Sequence, residues 1–212
     1  MIKTFRYDDD VDEFSANTYV IGEKNQGCIV IDLGSTTDRV IKYIKENHAS
    51  SVLGVLLTHG HFDHIRGLNK FLKKFPCTVF IDRNEVEMLN NTRLNGSVTF
   101  DEEITVNYNN LYLLDDEDEI NFGNGYLFKV IETPGHTRGS VCFELDKEKA
   151  IFTGDTLFKN SVGRTDLPTG SIKSMNQSLE RIKHLPIDLT IYPGHGDYSN
   201  LKKELETNVY LK

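Results

Sequence analysis

The chain has 212 residues, enough to bury roughly 70% of its unfolded surface as a single domain, 1–212, without disulfides. At 38% hydrophobic and 26% charged, with 16 Gly and 5 Pro, it lies outside the collagen-like, low-complexity and wholly disordered classes. No apolar run approaches ~18 residues, which speaks against a membrane partner, and a net charge of -8 with no basic cluster beyond Lys73-Lys74 and Lys202-Lys203 disfavours nucleic acid.

Met1 to Arg6 runs into an acidic stretch rather than an apolar one, so no signal peptide is expected. That stretch, Asp8-Asp9-Asp10-Val11-Asp12-Glu13, reads as a solvated loop. Tyr19-Val20-Ile21 and Cys28-Ile29-Val30-Ile31 read as two antiparallel strands joined by a turn from Gly22 to Gly27. Thr37 caps a helix through about Asn47, with Val40, Ile41 and Ile44 on one face. Residues 52–57 form a short apolar run, the pattern of a buried strand, and it ends at Thr58-His59-Gly60-His61.

A second helix should follow, with Ile65, Leu68, Phe71 and Leu72 at helical spacing. Residues 78–81 read as a strand and residues 84–90 as a short helix. Residues 91–110, rich in Asn, Thr and Gly, read as a long surface loop near the site. The acidic run from Asp115 to Glu119 reads as a turn. Strands are expected at about 126–133, 139–145 and 149–153, and at 189–192. Ser171 caps a helix with Ile172, Met175, Leu179 and Ile182 on one stripe, and residues 200–207 close the chain as a helix. Cys28, Cys77 and Cys142 are odd in number and widely spaced. They read as buried free thiols, which fits a reducing cytoplasm.

Three of the seven histidines, His59, His61 and His64, fall within six residues, with Asp63 among them. Such a concentration of polar groups on a strand-to-helix turn is costly unless something satisfies it, and a metal ion does. On an extended strand end His59 and His61 point to the same side. Asp63 and His64 then face a neighbouring position as the chain turns into a helix. His136 and His195 each follow Pro-Gly after a predicted strand, and Asp155 stands in Thr153-Gly154-Asp155-Thr156. Two adjacent metal positions follow, with Asp155 short and central enough to bridge them. His48 and His184 lie in polar helix-end contexts and read as surface residues.

The run His59-Gly60-His61-Phe62-Asp63-His64, followed in order by His136, Asp155 and His195, resembles the metallo-β-lactamase superfamily over essentially the whole chain. Residues 133–140, 152–158, 163–166 and 192–196 look like the short, single-domain form of its glyoxalase II (hydroxyacylglutathione hydrolase) branch. The resemblance implies an α/β fold, a four-layer αβ/βα sandwich. It implies one metal on His59, His61 and His136, another on Asp63, His64 and His195, and Asp155 between them. All these ligands are nitrogen or oxygen, which suits two zinc ions and also iron or manganese.

The implied activity is thioester hydrolysis with a metal-bridging hydroxide as nucleophile and Asp63 orienting or deprotonating it. A thiolate leaves readily, so no general acid is demanded. Thr58, Thr137, Ser140 and Thr156 flank the ligands as candidate hydrogen-bond supports. Arg164, Lys159 and Arg138 are candidate contacts for an anionic substrate such as a glutathione thioester. The longer glyoxalase II enzymes hold part of glutathione in a C-terminal helical domain that is not expected here, which leaves another small thiol open as the carrier. A rival reading on the same residues is a persulfide dioxygenase with one iron on His59, His136 and Asp155. A secreted β-lactamase would need an export segment, and none is expected.

Overall fold

The computed structural model describes residues 1–6, 15–49 and 51–212. The expected acidic loop at residues 8–13 lies outside the described residues. The chain divides into two compact units, residues 1–81 with 86–113, and residues 82–85 with 114–212.

The first unit is built on a six-stranded sheet. Its strands, in spatial order, are β1 (Ile2–Phe5), β2 (Thr18–Gly22), β3 (Cys28–Ile31), β4 (Val52–Leu56), β5 (Val79–Asp82) and β6 (Leu111–Leu114). β2 and β3 pair antiparallel through the expected turn, and β3, β4 and β5 run parallel. Every residue of β2 and β3 is buried, which explains why their sequences run apolar instead of alternating. Helices α1 (Thr37–Asn47), α2 (Phe62–Ile65) and α3 (Leu68–Lys74) return the chain between strands. Val40 and Ile44 of α1 and Leu68, Phe71 and Leu72 of α3 share one core cluster with Val20, Val30, Val55 and Val79.

The single helix expected after His61 is broken into α2 and α3 at Gly67. A Cβ there would fall 1.6 Å from Thr37 Oγ1 and 2.8 Å from the Gly34 carbonyl oxygen, so the break brings the turn against the start of α1. The short helix expected at 84–90 is a 3-10 helix, Arg83–Asn90. His48, expected on the surface, is buried, with Nδ1 3.1 Å from the Glu23 carbonyl oxygen at the end of α1. Burial holds its pKa below the usual histidine value.

The second unit carries another six-stranded sheet. Its strands are β7 (Glu119–Asn121), β8 (Leu127–Glu132), β9 (Val141–Leu145), β10 (Ala150–Gly154), β13 (Thr190–Pro193) and β14 (Ser199–Asn200); the hairpin of β11 (Leu157–Phe158) and β12 (Ser161–Val162) stands apart. Helices α4 (Ile172–Ile182) and α5 (Leu201–Thr207) pack on it: Met175, Leu179, Ile182 and Leu201 share a cluster with Ile131, Cys142, Ile151 and Ile191. Ser171 caps α4 as expected, its side chain accepting from Ser174 N. Ile172, expected on the buried stripe, is 63% exposed because it is the first helical residue, before the stripe meets the sheet. The acidic turn after β6 has a structural role: Asp116 accepts from the Arg181 guanidinium of α4 at 2.7 Å.

Two carboxyl groups of this unit carry a pH signature. Asp82 is buried, its Oδ1 accepting from Asn84 N at 2.7 Å. Burial pushes its pKa above the ordinary 3.8, and burial together with the Asp82 charge pushes Glu132 above the ordinary 4.5. The folded state therefore holds these protons more tightly than the unfolded chain does. The resulting stabilisation is present at low pH and is lost as pH rises through the folded values. Asp82→Asn keeps the acceptor for Asn84 and removes the charge. It is expected to raise Tm at pH 7 by about 2–4 °C, the shift that about 1 kcal/mol produces in a chain of this size. A lower Tm at pH 7 than at pH 4, relative to wild type, would contradict this origin.

Candidate metal centre

In the first unit the metal-competent side chains are His59, His61, Asp63 and His64, all placed by the turn from β4 into α2. His59 and His64 are fully buried and His61 nearly so. Their ring orientations follow from a residue that sequence reasoning missed, Asp32. It sits one residue after β3 at φ 54, a left-handed conformation that aspartate tolerates better than most side chains. It is 1% exposed, yet its carboxylate is satisfied: Thr58 N donates to Oδ1 at 2.9 Å and Thr58 Oγ1 to Oδ2 at 2.8 Å.

His64 Nδ1 lies 2.8 Å from the same Oδ2, so the Nδ1–H donates to Asp32 and Nε2 is left as the lone-pair nitrogen. The Thr58 hydroxyl, its proton committed to Asp32, accepts from His59 Nδ1 at 3.2 Å. His59 therefore also presents Nε2. His61 turns its Nδ1 toward that nitrogen, 3.1 Å away. Two nitrogens on a tetrahedral ion at ~2.0–2.1 Å sit about 3.3 Å apart, so this pair fits a metal as it stands. Thr58, expected as a support for the ligands, is one.

In the second unit the metal-competent residues are His136, Asp155 and His195. His136 and Asp155 are buried, and His195 is partly exposed. Each follows a sheet strand: β8 leads to His136, β10 ends at Gly154 before Asp155, and β13 ends two residues before His195. Gly135 has φ 152, and a Cβ there would lie 2.5 Å from the Met175 backbone, so the Thr133-Pro134-Gly135-His136 turn admits only glycine.

His136 Nδ1 lies 2.8 Å from the Arg164 carbonyl oxygen, which accepts its hydrogen bond and leaves Nε2 able to ligate a metal. Asp155 Oδ2 stands 3.5 Å from His136 Nε2 and 3.6 Å from His195 Nε2. The Gly163-Arg164 segment thus has a physical role that the sequence did not reveal. A Cβ at Gly163 would come 1.7 Å from the Asp155 carbonyl oxygen, so glycine lets the Arg164 carbonyl reach His136. The other expected supports are satisfied among themselves: Thr137 and Ser140 hydroxyls are 2.6 Å apart and Thr156 and Thr133 hydroxyls 2.9 Å apart.

The three candidate substrate cations are exposed and each has a partner. Arg164 forms a two-pronged pair with Asp166 at 2.7 Å, and that guanidinium holds the Asp166 carboxyl down at about 2. Lys159 donates to Asp197 at 3.1 Å and Arg138 Nε to the Asn84 carbonyl oxygen at 2.9 Å. The three thiols are buried and unreactive, with pKa values pushed up by burial to about 12 for Cys28 and about 11 for Cys77 and Cys142.

The donor set is nitrogen and oxygen with fixed ring tautomers, which fits a divalent metal. Asp32→Ala is expected to weaken metal affinity about 10–100-fold. It frees the Thr58 hydroxyl and the His64 ring together, and a competition titration with a chelator measures the loss. Unaltered affinity would separate Asp32 from the centre.

Comparison with known proteins agrees with this chemistry. The family profile described as "Metallo-beta-lactamase superfamily" matches residues 11–195. The chain is 32% identical to "Probable metallo-hydrolase YqgX" of Bacillus subtilis over 95% of its length and 94% of that protein's. It is 30% identical to "Hydroxyacylglutathione hydrolase GloC" of Haemophilus influenzae over 95% of each chain. Among solved structures, the BLEG-1 B3 metallo-beta-lactamase superposes with TM-score 0.91 at 31% identity, covering 100% of both chains. ETHE1 from Myxococcus xanthus superposes with TM-score 0.75 at 26% identity, covering 99% of this chain and 83% of that one. No helix among the described residues is long and apolar enough to cross a membrane. The α/β fold, the His/Asp donor set and these relatives agree: the chain belongs to the metallo-β-lactamase superfamily, as a metallo-hydrolase-type member that uses divalent metal.

Proposed function

We propose that residues 1–212 act as one catalytic domain, a binuclear hydrolase of small-molecule thioesters of glutathione or a similar small thiol. In this reading His59, His61 and His136 would hold one metal, zinc in the first instance. Asp63, His64 and His195 would hold the other, and Asp155 would serve both. The observation that carries the reading is the set of locked tautomers: Asp32, Thr58 and the Arg164 carbonyl commit the Nδ1 atoms of His64, His59 and His136, which suits each Nε2 to ligate a metal. The relative named as a hydroxyacylglutathione hydrolase supports the substrate class.

When bound, divalent metal supplies an activated water at neutral pH and a Lewis acid for the substrate carbonyl. The chain's own part is to place the reactants and handle the proton. Asp63, 12% exposed and 3.7 Å from His64 Nε2, reaches solvent and takes or orients the proton of the attacking water. The leaving thiolate needs no protonation, which suits a site whose motifs hold no lysine or tyrosine acid. Arg164, Lys159 and Arg138 face the carrier's carboxylates. The ion pairs of Arg164 and Lys159 are exposed and screened by solvent, so exchanging Asp166 or Asp197 for a substrate carboxylate costs little. The substrate is a small molecule, with no nucleic acid or membrane involved, and the compartment is the cytoplasm, where small-thiol thioesters form.

The test is thiol release from S-D-lactoylglutathione by purified, metal-analysed protein, alongside a chromogenic β-lactam. Rapid release with close to two metals per chain supports the reading. Faster turnover of the β-lactam replaces it with lactamase chemistry. No release, with one iron per chain and oxygen uptake on adding a persulfide, replaces it with the dioxygenase.

A further inference from the structure

Residues 91–110 contain no strand and one short 3-10 turn, Ser97–Phe100, yet they are held firmly. Asn95, fully buried, organises them: its amide donates to the carbonyl oxygens of Met88 (3.0 Å) and Ile104 (2.8 Å) and accepts from Ser97 N at 3.0 Å. The same loop is latched to the metal-ligand turn. Phe62, between His61 and Asp63, donates its N–H to the Asn95 carbonyl oxygen at 2.9 Å. Its ring lies 4.9 Å from that of Phe100, at 30°. On the other side Arg66 stands 5.1 Å over the Phe62 ring and pairs with Glu102 at 2.5 Å.

Phe100 is nevertheless 41% exposed, and Val98 on the same turn 47%. Scattered exposed apolar side chains need no explanation. Phe100 differs because it sits on a long loop pre-ordered by a buried asparagine, and its ring packs on the residue between two metal ligands. Long ordered loops of this kind are commonly binding elements. Flanked in sequence by Thr99, Asp101, Glu102 and Glu103, the ring presents an exposed apolar face among polar neighbours beside the turn that carries His61 and Asp63.

We propose that Phe62 and Phe100 form an apolar wall beside the ligand turn that takes the acyl group of the thioester, and that the enzyme prefers extended apolar acyl groups over short ones. The inference rests on the thioester reading and adds the acyl class to it. Phe100 is the specificity-determining residue, because Phe62 is already committed to the packing of the turn.

The experiment compares acetyl, butyryl and hexanoyl thioesters of one thiol on the metal-loaded enzyme. A partly open wall should favour hexanoyl over acetyl in kcat/KM by about tenfold, below the limit of about fourfold per methylene for full burial. In Phe100→Ala the hexanoyl-to-acetyl ratio should fall to within about twofold. Phe100→Leu should recover most of it, and Val209→Ala, an exposed apolar residue elsewhere (71%), should leave it unchanged. Calorimetry of hexanoate against acetate supplies a readout without turnover: wild type should bind hexanoate about tenfold more tightly, and Phe100→Ala should not. Hydrolysis at equal kcat/KM across the series overturns the wall and leaves the thioester reading standing. No hydrolysis of any thioester overturns the thioester reading and, with it, the assignment of an acyl wall. Equal binding of the two carboxylates overturns the wall by itself.

Discussion

Replacing Asp155 by alanine is expected to strip the protein of most of its metal and to lower kcat/KM for the proposed thioester substrate by about 10²–10³-fold or more, the scale of losing a preorganised electrostatic group. Asp155 Oδ2 is the common neighbour of His136 Nε2 and His195 Nε2, 3.5 and 3.6 Å away. Alanine takes from beside both rings the negative charge that a divalent ion requires. The side chain is 11% exposed at the end of β10, and its removal takes away a largely buried charge rather than a packing element. Elemental analysis and thermal melting therefore separate the outcomes. The expectation is low metal and low turnover with a cooperative unfolding transition retained. Full turnover after the exchange would rule against the metal mechanism.

Asp63→Asn should act differently. The carboxamide has nearly the shape of the carboxylate but cannot take a proton at neutral pH. Turnover should fall by about 10²–10⁴, the usual worth of a positioned general base, while KM changes little. If Asp63 serves only to hold metal, metal content should fall in proportion to activity, and excess metal should restore the rate. A rate that stays low at full metal occupancy assigns Asp63 to proton handling. An unchanged rate removes it from the chemistry.

The metal-competent residues were legible in sequence because their grouping is local. His59, His61, Asp63 and His64 declare themselves by spacing alone, and His136, Asp155 and His195 by the strand ends that carry them. Asp32 was not legible, because its partners are 26 and 32 positions away. The only local sign was an acidic residue placed directly after four buried ones. The Arg164 carbonyl that orients His136 is a backbone atom 28 positions distant, so no side-chain pattern could report it. His48 looked like a helix-end surface residue until the Glu23 carbonyl, 25 positions earlier, accounted for its burial.

The amphipathic helices and central strands followed from apolar periodicity, since burial of one face is written into each segment. The edge strands β1, β6 and β7 were missed. Short edge strands owe their existence to the hydrogen bonds of a neighbour, as β1 does in pairing Ile2 through Phe5 with Ile21 through Thr18. The sequence by itself determined the fold class and singled out the metal-competent residues, because both rest on local spacing and on which side chains can ligate metal. The tertiary structure alone decided which ring nitrogen His59, His64 and His136 commit to a hydrogen bond. It also alone brought Phe100 against the ligand turn, because hydrogen-bond partners and ring contacts tens of residues apart meet only in the folded chain.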